Sequence, residues 1–175
     1  MGEIKNNQKL QFWFIFYVKF GIIYVGERKM RVVVQRVKRA SLDVGEKEIC
    51  KIGQGLVCFV GFCHEDDRVK FEFIAKRIAG LRVFEDENGK MNKSPNDVGA
   101  EFMLVSNFTL YGDVKDGFRP SFTGAMAADK ARQLFYDFVE FFKTKTSLKV
   151  ESGVFGADMQ ILQQNDGPIT LIIEN

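Results

Sequence analysis

The chain contains two amphipathic helical segments set among short apolar strands, and this arrangement limits the folds it can adopt. Residues Ala127–Lys145 place apolar side chains three or four positions apart, which predicts a helix with one buried stripe. Asp66–Leu81 has the same spacing and predicts a second helix. The residues expected on the buried faces are Ala131, Leu134, Phe135, Phe138 and Phe142 in the first, and Phe71, Ile74, Ala75 and Ile78 in the second.

Short apolar segments on either side of these helices predict β-strands. Ser41–Ile52 is expected to form a hairpin that turns at Gly45 and Glu46. The other predicted strands are Arg31–Val37, Leu56–Phe62, Glu101–Leu110, Lys149–Ser152, Ala157–Gln164 and Ile169–Glu174, with a polar turn at Glu85–Gly89 and a loop over Gly112–Gly124. We therefore predict an α+β fold, in which helices pack outside a curved, barrel-like, mainly antiparallel sheet.

The first 29 residues differ from the rest of the chain. Two apolar runs, Phe12–Val18 and Phe20–Val25, are separated by Lys19, and together they fall short of the roughly 18–20 apolar residues of a membrane span. No small-residue cleavage site follows them, and one arginine with no serine does not fit a transit peptide. We interpret residues 1–29 as an extension produced by an upstream start, with Met30 as the initiator and residues 30–175 as the domain. A weak membrane-surface anchor is the alternative.

The cysteine and histidine content narrows the chemistry. Cys50, Cys58 and Cys63 are odd in number, lie in apolar segments and form no paired CxxC spacing, so we expect reduced, buried thiols in a cytoplasmic protein. His64 is the single histidine, which argues against Ser-His-Asp catalysis and against a multi-histidine metal site. We expect His64 in a surface turn, and we expect no metal and no cofactor.

The charge of the chain does not indicate nucleic-acid binding by itself. The chain has 25 basic and 23 acidic residues, of which five basic and two acidic residues lie in positions 1–29. The remainder carries 20 basic against 21 acidic residues and is nearly neutral. Any contact with RNA would therefore depend on a local patch.

Six short segments carry more specific information than the scaffold requires. They are Gln35–Val37, Leu81–Asn92, Ser106–Leu110, Arg119–Phe122, Gly153–Gln160 and Asn165–Thr170. In this order and spacing they resemble the D-aminoacyl-tRNA deacylases, also described as the D-tyrosyl-tRNA deacylase family, and the resemblance extends from Met30 to the C-terminus. Taken singly, each segment also has a plain structural interpretation, such as a surface arginine on a strand for Arg36, a strand end, a turn or part of the core.

The resemblance implies an enzyme that hydrolyses the ester joining a D-amino acid, or glycine, to the terminal adenosine of tRNA. It implies a homodimer with active sites at the interface, and it implies no membrane contact and no obligatory protein partner. The catalytic residues would be Ser106, Asn107, Phe108 and Thr109. The substrate-binding residues would be Arg36, Phe155, Met159, Gly167, Pro168 and Thr170, with a cis Gly167–Pro168 bond that reaches into the partner's pocket. The resemblance places Phe155 and Met159 around the adenine base, and Arg36 near the Gly–Pro loop, where its guanidinium would hold backbone carbonyls.

One residue departs from the family signature. The family has Ser-Gln-Phe-Thr, and this chain has Asn107 at the position of the glutamine. The shorter amide puts any role for that side chain at the ester in question, but it does not affect the backbone N–H groups of Phe108 and Thr109, which we expect to stabilise an oxyanion. Two alternatives stay open: a non-catalytic RNA-binding or ribosome-associated module, and a hydrolase of another small ester.

Overall fold

A computed structural model of the chain describes residues 29–175, so the interpretation of residues 1–29 as an extension lies almost wholly outside the described residues. The strands are β1 (Arg31–Val44), β2 (Lys47–Ile52), β3 (Gly55–Gly61), β4 (Phe84–Glu85), β5 (Met91–Lys93), β6 (Glu101–Ser106), β7 (Val150–Ser152) and β8 (Met159–Glu174). The helices are α1 (Phe71–Ala79), α2 (Pro95–Val98) and α3 (Ala128–Lys143).

The main sheet is mixed, and the prediction of a mainly antiparallel sheet needs this correction. β1 is antiparallel to β2, β3 and β8, whereas β3 and β6 are parallel, as are β6 and β7. The parallel pairs arise because α1 lies between β3 and β6 in the chain, and α3 lies between β6 and β7. Such helical crossovers bring the next strand back in the same direction.

The sheet curves into a nearly closed barrel with a core on each face. Val32, Val34, Leu56, Cys58 and Val60 face α1 and α3, which pack on the outside as predicted. Side chains on the other face of the sheet pack against one another inside its curve, where they form a second cluster. The second cluster consists of Val37, Ala40, Leu42, Cys50, Ile52, Val57, Met103 and Val105.

Both helices bury the predicted faces. The four residues predicted for α1 are buried, and so are Ala131, Phe135, Phe138 and Phe142 in α3, while Leu134 is half-buried. Phe71 meets Phe138 edge to face, with ring centroids 5.1 Å apart, so the two helices also pack on each other. The helices are shorter than predicted. A 3-10 turn over Arg68–Lys70 precedes α1, and Gly80 ends it.

Three strand predictions change in their boundaries. The hairpin at Gly45 and Glu46 is confirmed, but its first strand is continuous with the predicted strand Arg31–Val37. The predicted strand Glu101–Leu110 ends at Ser106, where a 3-10 turn begins. The two predicted C-terminal strands form the single strand β8, which is interrupted by a break in register.

The cysteines and the histidine lie as predicted. All three cysteines are free and buried, and burial raises the pKa of the Cys50 thiol to about 11 and that of Cys63 to about 12. His64 is exposed in a turn, where its Nε2 lies 2.7 Å from the Thr123 carbonyl oxygen. Residues 29–175 contain no cluster of ligands that would hold a metal ion. In the same range, no helix has the length and apolar character needed to cross a bilayer.

Candidate active site

The end of β6 turns sharply because an asparagine caps the segment that follows it. Asn107 has an extended backbone, and its Oδ1 accepts hydrogen bonds from the Thr109 N–H at 3.1 Å and from the Thr109 hydroxyl at 2.5 Å. This cap starts the 3-10 turn Phe108–Tyr111. A side-chain oxygen in this position satisfies a backbone N–H that the turn leaves without a partner.

The Asn107 cap occupies one of the two backbone N–H groups that were expected to stabilise an oxyanion. The Thr109 N–H is already occupied by Asn107, so it is not available to a ligand in this arrangement. The Phe108 N–H makes no hydrogen bond with any group in residues 29–175. Phe108 is therefore the one free backbone donor of the expected pair.

A cavity of about 370 Å³ adjoins the turn. Ser106, Asn107 and Phe108 form one wall, and Phe155 with Gly156 forms another. The remaining wall comes from Phe122, Met126 and the start of α3 at Ala128 and Ala131, residues that no sequence motif assigned to the site. The only sequence signal for this wall was Phe122, which ends one of the six segments.

The cavity is aromatic and uncharged. The Phe108 and Phe122 rings meet edge to face, 5.1 Å between centroids. The half-buried Phe155 ring lies 6.1 Å from Phe135, and the Arg132 guanidinium lies 5.2 Å from its centroid. None of the described residues that line the cavity has an ionisable side chain. Its chemistry therefore depends on backbone groups, a serine hydroxyl and an amide.

Met159 does not join Phe155 in lining this cavity. It packs instead with the cluster inside the barrel. A Cβ at Gly153 would lie 2.7 Å from Met159 Sδ and 3.0 Å from Leu42 Cδ1, so Gly153 makes room for this packing. Of the two residues that the resemblance places around a nucleobase, the structure therefore brings only Phe155 to the cavity.

Gly167 and Pro168 lie in a bulge of β8. Gln35 pairs with Thr170 and Val37 pairs with Asn165, so the four residues 166–169 lie opposite Arg36 alone. The Gly167–Pro168 bond is cis, and Gly167 has φ +122°, a region that side chains rarely adopt. The Thr170 hydroxyl accepts a hydrogen bond of 3.3 Å from Gln35 Nε2 at the edge of the bulge.

Arg36 is buried, which rules out the plain interpretation of a surface arginine on a strand. Its side chain is 4% exposed, and its Nη1 donates to the Val83 carbonyl oxygen at 2.5 Å. Its Nε lies 3.0 Å from the Asp166 carboxylate, an ion pair whose N–H direction is not that of a hydrogen bond. Arg36 thus connects the bulge to the segment before β4 through a side chain of the bulge and not through its carbonyls.

The bulge and the cavity of one chain lie far apart. Ser106 pairs with Val60, Val60 with Val32, and Val32 with Ile173, so these residues mark one level across the sheet. The bulge lies opposite Arg36, four residues further along β1. Strand geometry therefore separates the bulge from Ser106 by about 13 Å along the strands and about 14 Å across three strand spacings, and from Val60 and Gly61 of the cavity lining by two strand spacings.

Comparison with known proteins finds similarity to one family, both through a sequence model and through individual proteins. A sequence model of the family described as D-Tyr-tRNA(Tyr) deacylase matches residues 33–174. A protein of Brevibacillus brevis named D-aminoacyl-tRNA deacylase is 48% identical over 149 residues, which cover 83% of this chain and 100% of that protein. One of Chloroherpeton thalassium with the same name is 47% identical over 146 residues, covering 83% and 96%.

Two solved structures have the same fold. One, described as c-Myc DNA Unwinding Element Binding Protein, has a TM-score of 0.79 and 40% identity and covers 83% of this chain and 99% of its own. The other, described as a probable eukaryotic D-amino acid tRNA deacylase, has a TM-score of 0.67 and 18% identity and covers 85% and 100%. At that identity the second likeness concerns the fold alone.

Proposed function

Because the chain belongs to the D-Tyr-tRNA(Tyr) deacylase family, we propose that it hydrolyses D-aminoacyl-tRNA to the free D-amino acid and tRNA. The observation that carries this proposal is the aromatic cavity beside the Phe108 N–H. Its size and rings suit a nucleobase, since stacking on an aromatic ring holds a base without specific hydrogen bonds. Such an enzyme acts as a proofreading step of translation in the cytoplasm.

The chemistry needs an oxyanion donor and a water molecule. When water attacks the ester carbonyl, the developing oxyanion is stabilised by the Phe108 N–H, and one such donor typically contributes about 10²–10³ in rate. The vicinal 2′-hydroxyl of the terminal adenosine assists the attacking water, because no ionisable side chain of the described residues lines the cavity. An aminoacyl ester is already activated, so this modest assistance is sufficient, and no metal or cofactor takes part.

The enzyme acts as a homodimer that buries the exposed side of β8. On this long strand the Ile172 side chain is exposed, and it lies beside Val33, which pairs with Phe59. These three cross-strand neighbours form an apolar band on the sheet face opposite the helices. Long apolar edge strands tend to associate, so a second copy of the chain is the natural cover for this surface.

The dimer supplies the chiral filter. The bulge of one chain lies too far from its own cavity, so the partner subunit's Gly167 and Pro168 enter the site. Gly167 has no Cβ and allows the backbone to approach the α-carbon of the substrate, where carbonyl oxygens accept the α-ammonium group and exclude an L side chain. The same geometry admits glycine, so glycyl-tRNA is a second substrate.

The experiment that tests the proposal compares matched substrates. Purified protein is incubated with tRNA carrying the D form, the L form or glycine, and release of the amino acid is followed. We expect hydrolysis of the D and glycyl esters and little hydrolysis of the L ester. Equal rates on the D and L esters would contradict the proposed exclusion of L side chains. If none of the three esters is hydrolysed, the proposed hydrolase activity is wrong.

A pair of substitutions isolates the oxyanion donor. Phe108→Pro removes the backbone N–H, and proline suits this position because it opens the 3-10 turn after an extended Asn107. Phe108→Ala removes the ring but keeps the N–H and is the matched control. We expect Phe108→Pro to lower kcat about 10²–10³-fold relative to Phe108→Ala. Equal rates of the two variants contradict the role of this N–H.

A second candidate function is nucleic-acid binding without catalysis. It is favoured by the 40% identical structure, which is named for binding a DNA unwinding element. Under this alternative the protein binds the nucleic acid, and the ester assay gives no release with any substrate. The nearly neutral charge of residues 30–175 favours the enzyme, because non-specific binding of nucleic acids depends on phosphate neutralisation.

A further inference from the structure

A second cavity lies directly beside the first and has a different character. It measures about 530 Å³ and is lined by polar groups, including four cations, Lys29, Arg31, Lys115 and Arg119. We call it the polar hollow. The 3-10 turn separates the two cavities, since Phe108 lines the first and Leu110 and Tyr111 line the polar hollow. The segment after the loop divides in the same way, with Phe122 on one side and Thr123 on the other.

The wall between the two cavities is held firmly. Arg31 Nη1 donates to the Leu110 carbonyl oxygen at 2.6 Å, and its guanidinium lies 5.4 Å from the Tyr111 ring centroid. The Tyr111 hydroxyl donates to the Lys29 carbonyl oxygen at 2.5 Å. These contacts fix the position of the polar hollow relative to the first cavity. A ligand that extends from the first cavity across this wall therefore enters the polar hollow.

The loop that borders the polar hollow has a fixed base and a projecting tip. Asp113 and Ser121 exchange two backbone hydrogen bonds of 2.8 Å each, and residues 114–120 extend beyond them. At the tip the Phe118 side chain is fully exposed. The neighbouring Arg119 makes no ion pair or hydrogen bond within residues 29–175. Neither the Phe118 nor the Arg119 side chain therefore stabilises the fold of residues 29–175.

We propose that the polar hollow binds the nucleotide that precedes the terminal adenosine of the tRNA, with Arg119 at its phosphate and Phe118 stacked on its base. This inference rests on the proposed function, because the ester must first place the terminal adenosine in the aromatic cavity. The single-stranded end of the tRNA then has to leave that cavity, and the polar hollow is the neighbouring cavity with cations. An arginine with free donors suits a phosphate, and an exposed ring suits a base of any identity.

The acids of the polar hollow limit how strongly it binds. Glu174 is paired with Arg31 at 2.5 Å, and Asp113 lies 3.8 Å from the Lys115 ammonium group. Asp116 is the third acid in the lining, so four cations face three anions. The small excess of positive charge means that this nucleotide contributes to binding without holding the product tRNA tightly.

The test uses two substrates that differ only in the nucleotides before the terminal adenosine. One is D-aminoacyl-tRNA, and the other is the same D-amino acid on the 3′-oxygen of free adenosine. We expect Phe118→Ala and Arg119→Ala each to raise KM for the tRNA on the order of tenfold, with KM for the adenosine ester and both kcat values unchanged. Arg119→Ala should also flatten the logarithmic salt dependence of kcat/KM by about 0.7, the loss of one contact to a single-strand phosphate.

A matched control lies on α1. Phe73 and Arg77 are an exposed aromatic and an arginine, with the guanidinium 5.1 Å from the ring centroid, and neither residue lines either of the two cavities. Phe73→Ala and Arg77→Ala should leave the kinetics on both substrates as in the unsubstituted protein. An effect of these two variants equal to that of the loop variants overturns the assignment.

The outcomes separate this inference from the proposed function. If the unsubstituted protein cleaves both esters and the loop variants behave like it, the polar hollow does not bind this nucleotide. If the loop variants raise KM for both esters equally, they act on the first cavity and the inference is again wrong. If the unsubstituted protein cleaves neither ester, the proposed function fails, and the inference fails with it.

Discussion

Asn107 shows how a residue in a signature position can serve the backbone around it. Its Oδ1 takes both the N–H and the hydroxyl of Thr109, so the side chain shapes the turn that presents Phe108. The amide therefore has an assigned structural task before any substrate arrives. This task explains how the chain accommodates a side chain one methylene shorter than the family glutamine.

The substitution Asn107→Gln tests whether the amide touches the reacting ester. If it only shapes the turn, kcat/KM should change by less than tenfold, which is about 1.4 kcal/mol of barrier. Because the cap is altered, the free energy of unfolding should fall by about 0.5–2 kcal/mol, measured by denaturant titration. Asn107→Ala is the control for loss of the cap alone. A gain of more than tenfold with glutamine would show that the natural asparagine impairs catalysis.

Thr109 is the tempting nucleophile of the site, and its surroundings argue against that role. Its hydroxyl already donates to Asn107 Oδ1, and an amide oxygen is not a base that activates a nucleophile. Thr109→Ala should therefore keep substantial activity, and a substrate that lacks the vicinal 2′-hydroxyl should be cleaved poorly by the unsubstituted protein. Rates on the two substrates and mass spectrometry of quenched reactions check this. An acyl group trapped on Thr109 would refute attack by water.

At the scale of elements, the sequence predicted what depends on local periodicity. The buried faces of α1 and α3 follow from spacing alone, and so does the hairpin at Gly45. The end of β6 was missed by four residues because Asn107 has strand-compatible neighbours and acts only as a cap. The parallel pairing of β3 with β6 was predictable in principle, since a helix of the right length lies between them.

The sequence pattern did not reveal contacts between residues that are distant from each other in the chain. Arg36 is buried because the Asp166 carboxylate and the Val83 carbonyl oxygen contact its guanidinium, and both partners lie far beyond Arg36 in the chain. Met159 was expected near the nucleobase, but Gly153 and Leu42 hold it inside the barrel. The distant partners Val83, Asp166 and Leu42 leave no trace in the local sequence, although Gly153 lies only six residues before Met159.

The entry into α1 offers a prediction about stability. The Asp66 carboxylate is fully buried, where it accepts the Cys63 N–H at 2.6 Å and pairs with the Lys70 ammonium at 2.7 Å. Asp66→Ala leaves that N–H without a partner and should lower the free energy of unfolding by about 1–3 kcal/mol. Denaturant titration measures the change, and activity per folded molecule should be retained.

Asp67→Ala is the matched control, because the exposed Asp67 side chain caps only the 3-10 turn through the Val69 N–H at 2.9 Å. Its loss should have a smaller effect, about 1 kcal/mol or less. If the two variants are equally stable, the buried network around Asp66 does not contribute as described.

At the scale of the whole molecule, Met30 and the C-terminal residue Asn175 lie side by side. Met30 and Asn175 exchange two backbone hydrogen bonds of 3.0 and 3.1 Å, and the Met30 side chain is fully buried. A chain that starts at Met30 should therefore keep the stability and dimeric state of the full chain and hydrolyse the D-aminoacyl ester of adenosine at the same rate. The Tyr111 hydroxyl loses the Lys29 carbonyl oxygen but retains that of Gly61 at 3.3 Å. Aggregation or a lower melting temperature of the shortened chain would show that residues 1–29 pack on the body.

The cross-subunit filter makes the most specific prediction, which concerns mixed dimers. Gly167→Ala should disable the bulge, because the new Cβ would lie 2.8 Å from the Ile169 nitrogen at φ +122°. Phe108→Pro should disable the cavity by removing the oxyanion donor. In the proposed arrangement every site combines one cavity with the partner's bulge, so each parent homodimer then has two defective sites.

A mixed dimer of these two chains places both defects in one site and leaves the other site intact. Dimers purified through two different affinity tags should therefore regain activity at one site in two, and a mixed dimer of the unsubstituted chain with the Phe108→Pro chain provides the reference. If each bulge served its own chain instead, every site of the mixed dimer would contain one defect, and no activity would return. Inactive mixed dimers of normal mass would thus assign the bulge to its own subunit, although the strand register separates it from that cavity by about 13 Å along the sheet.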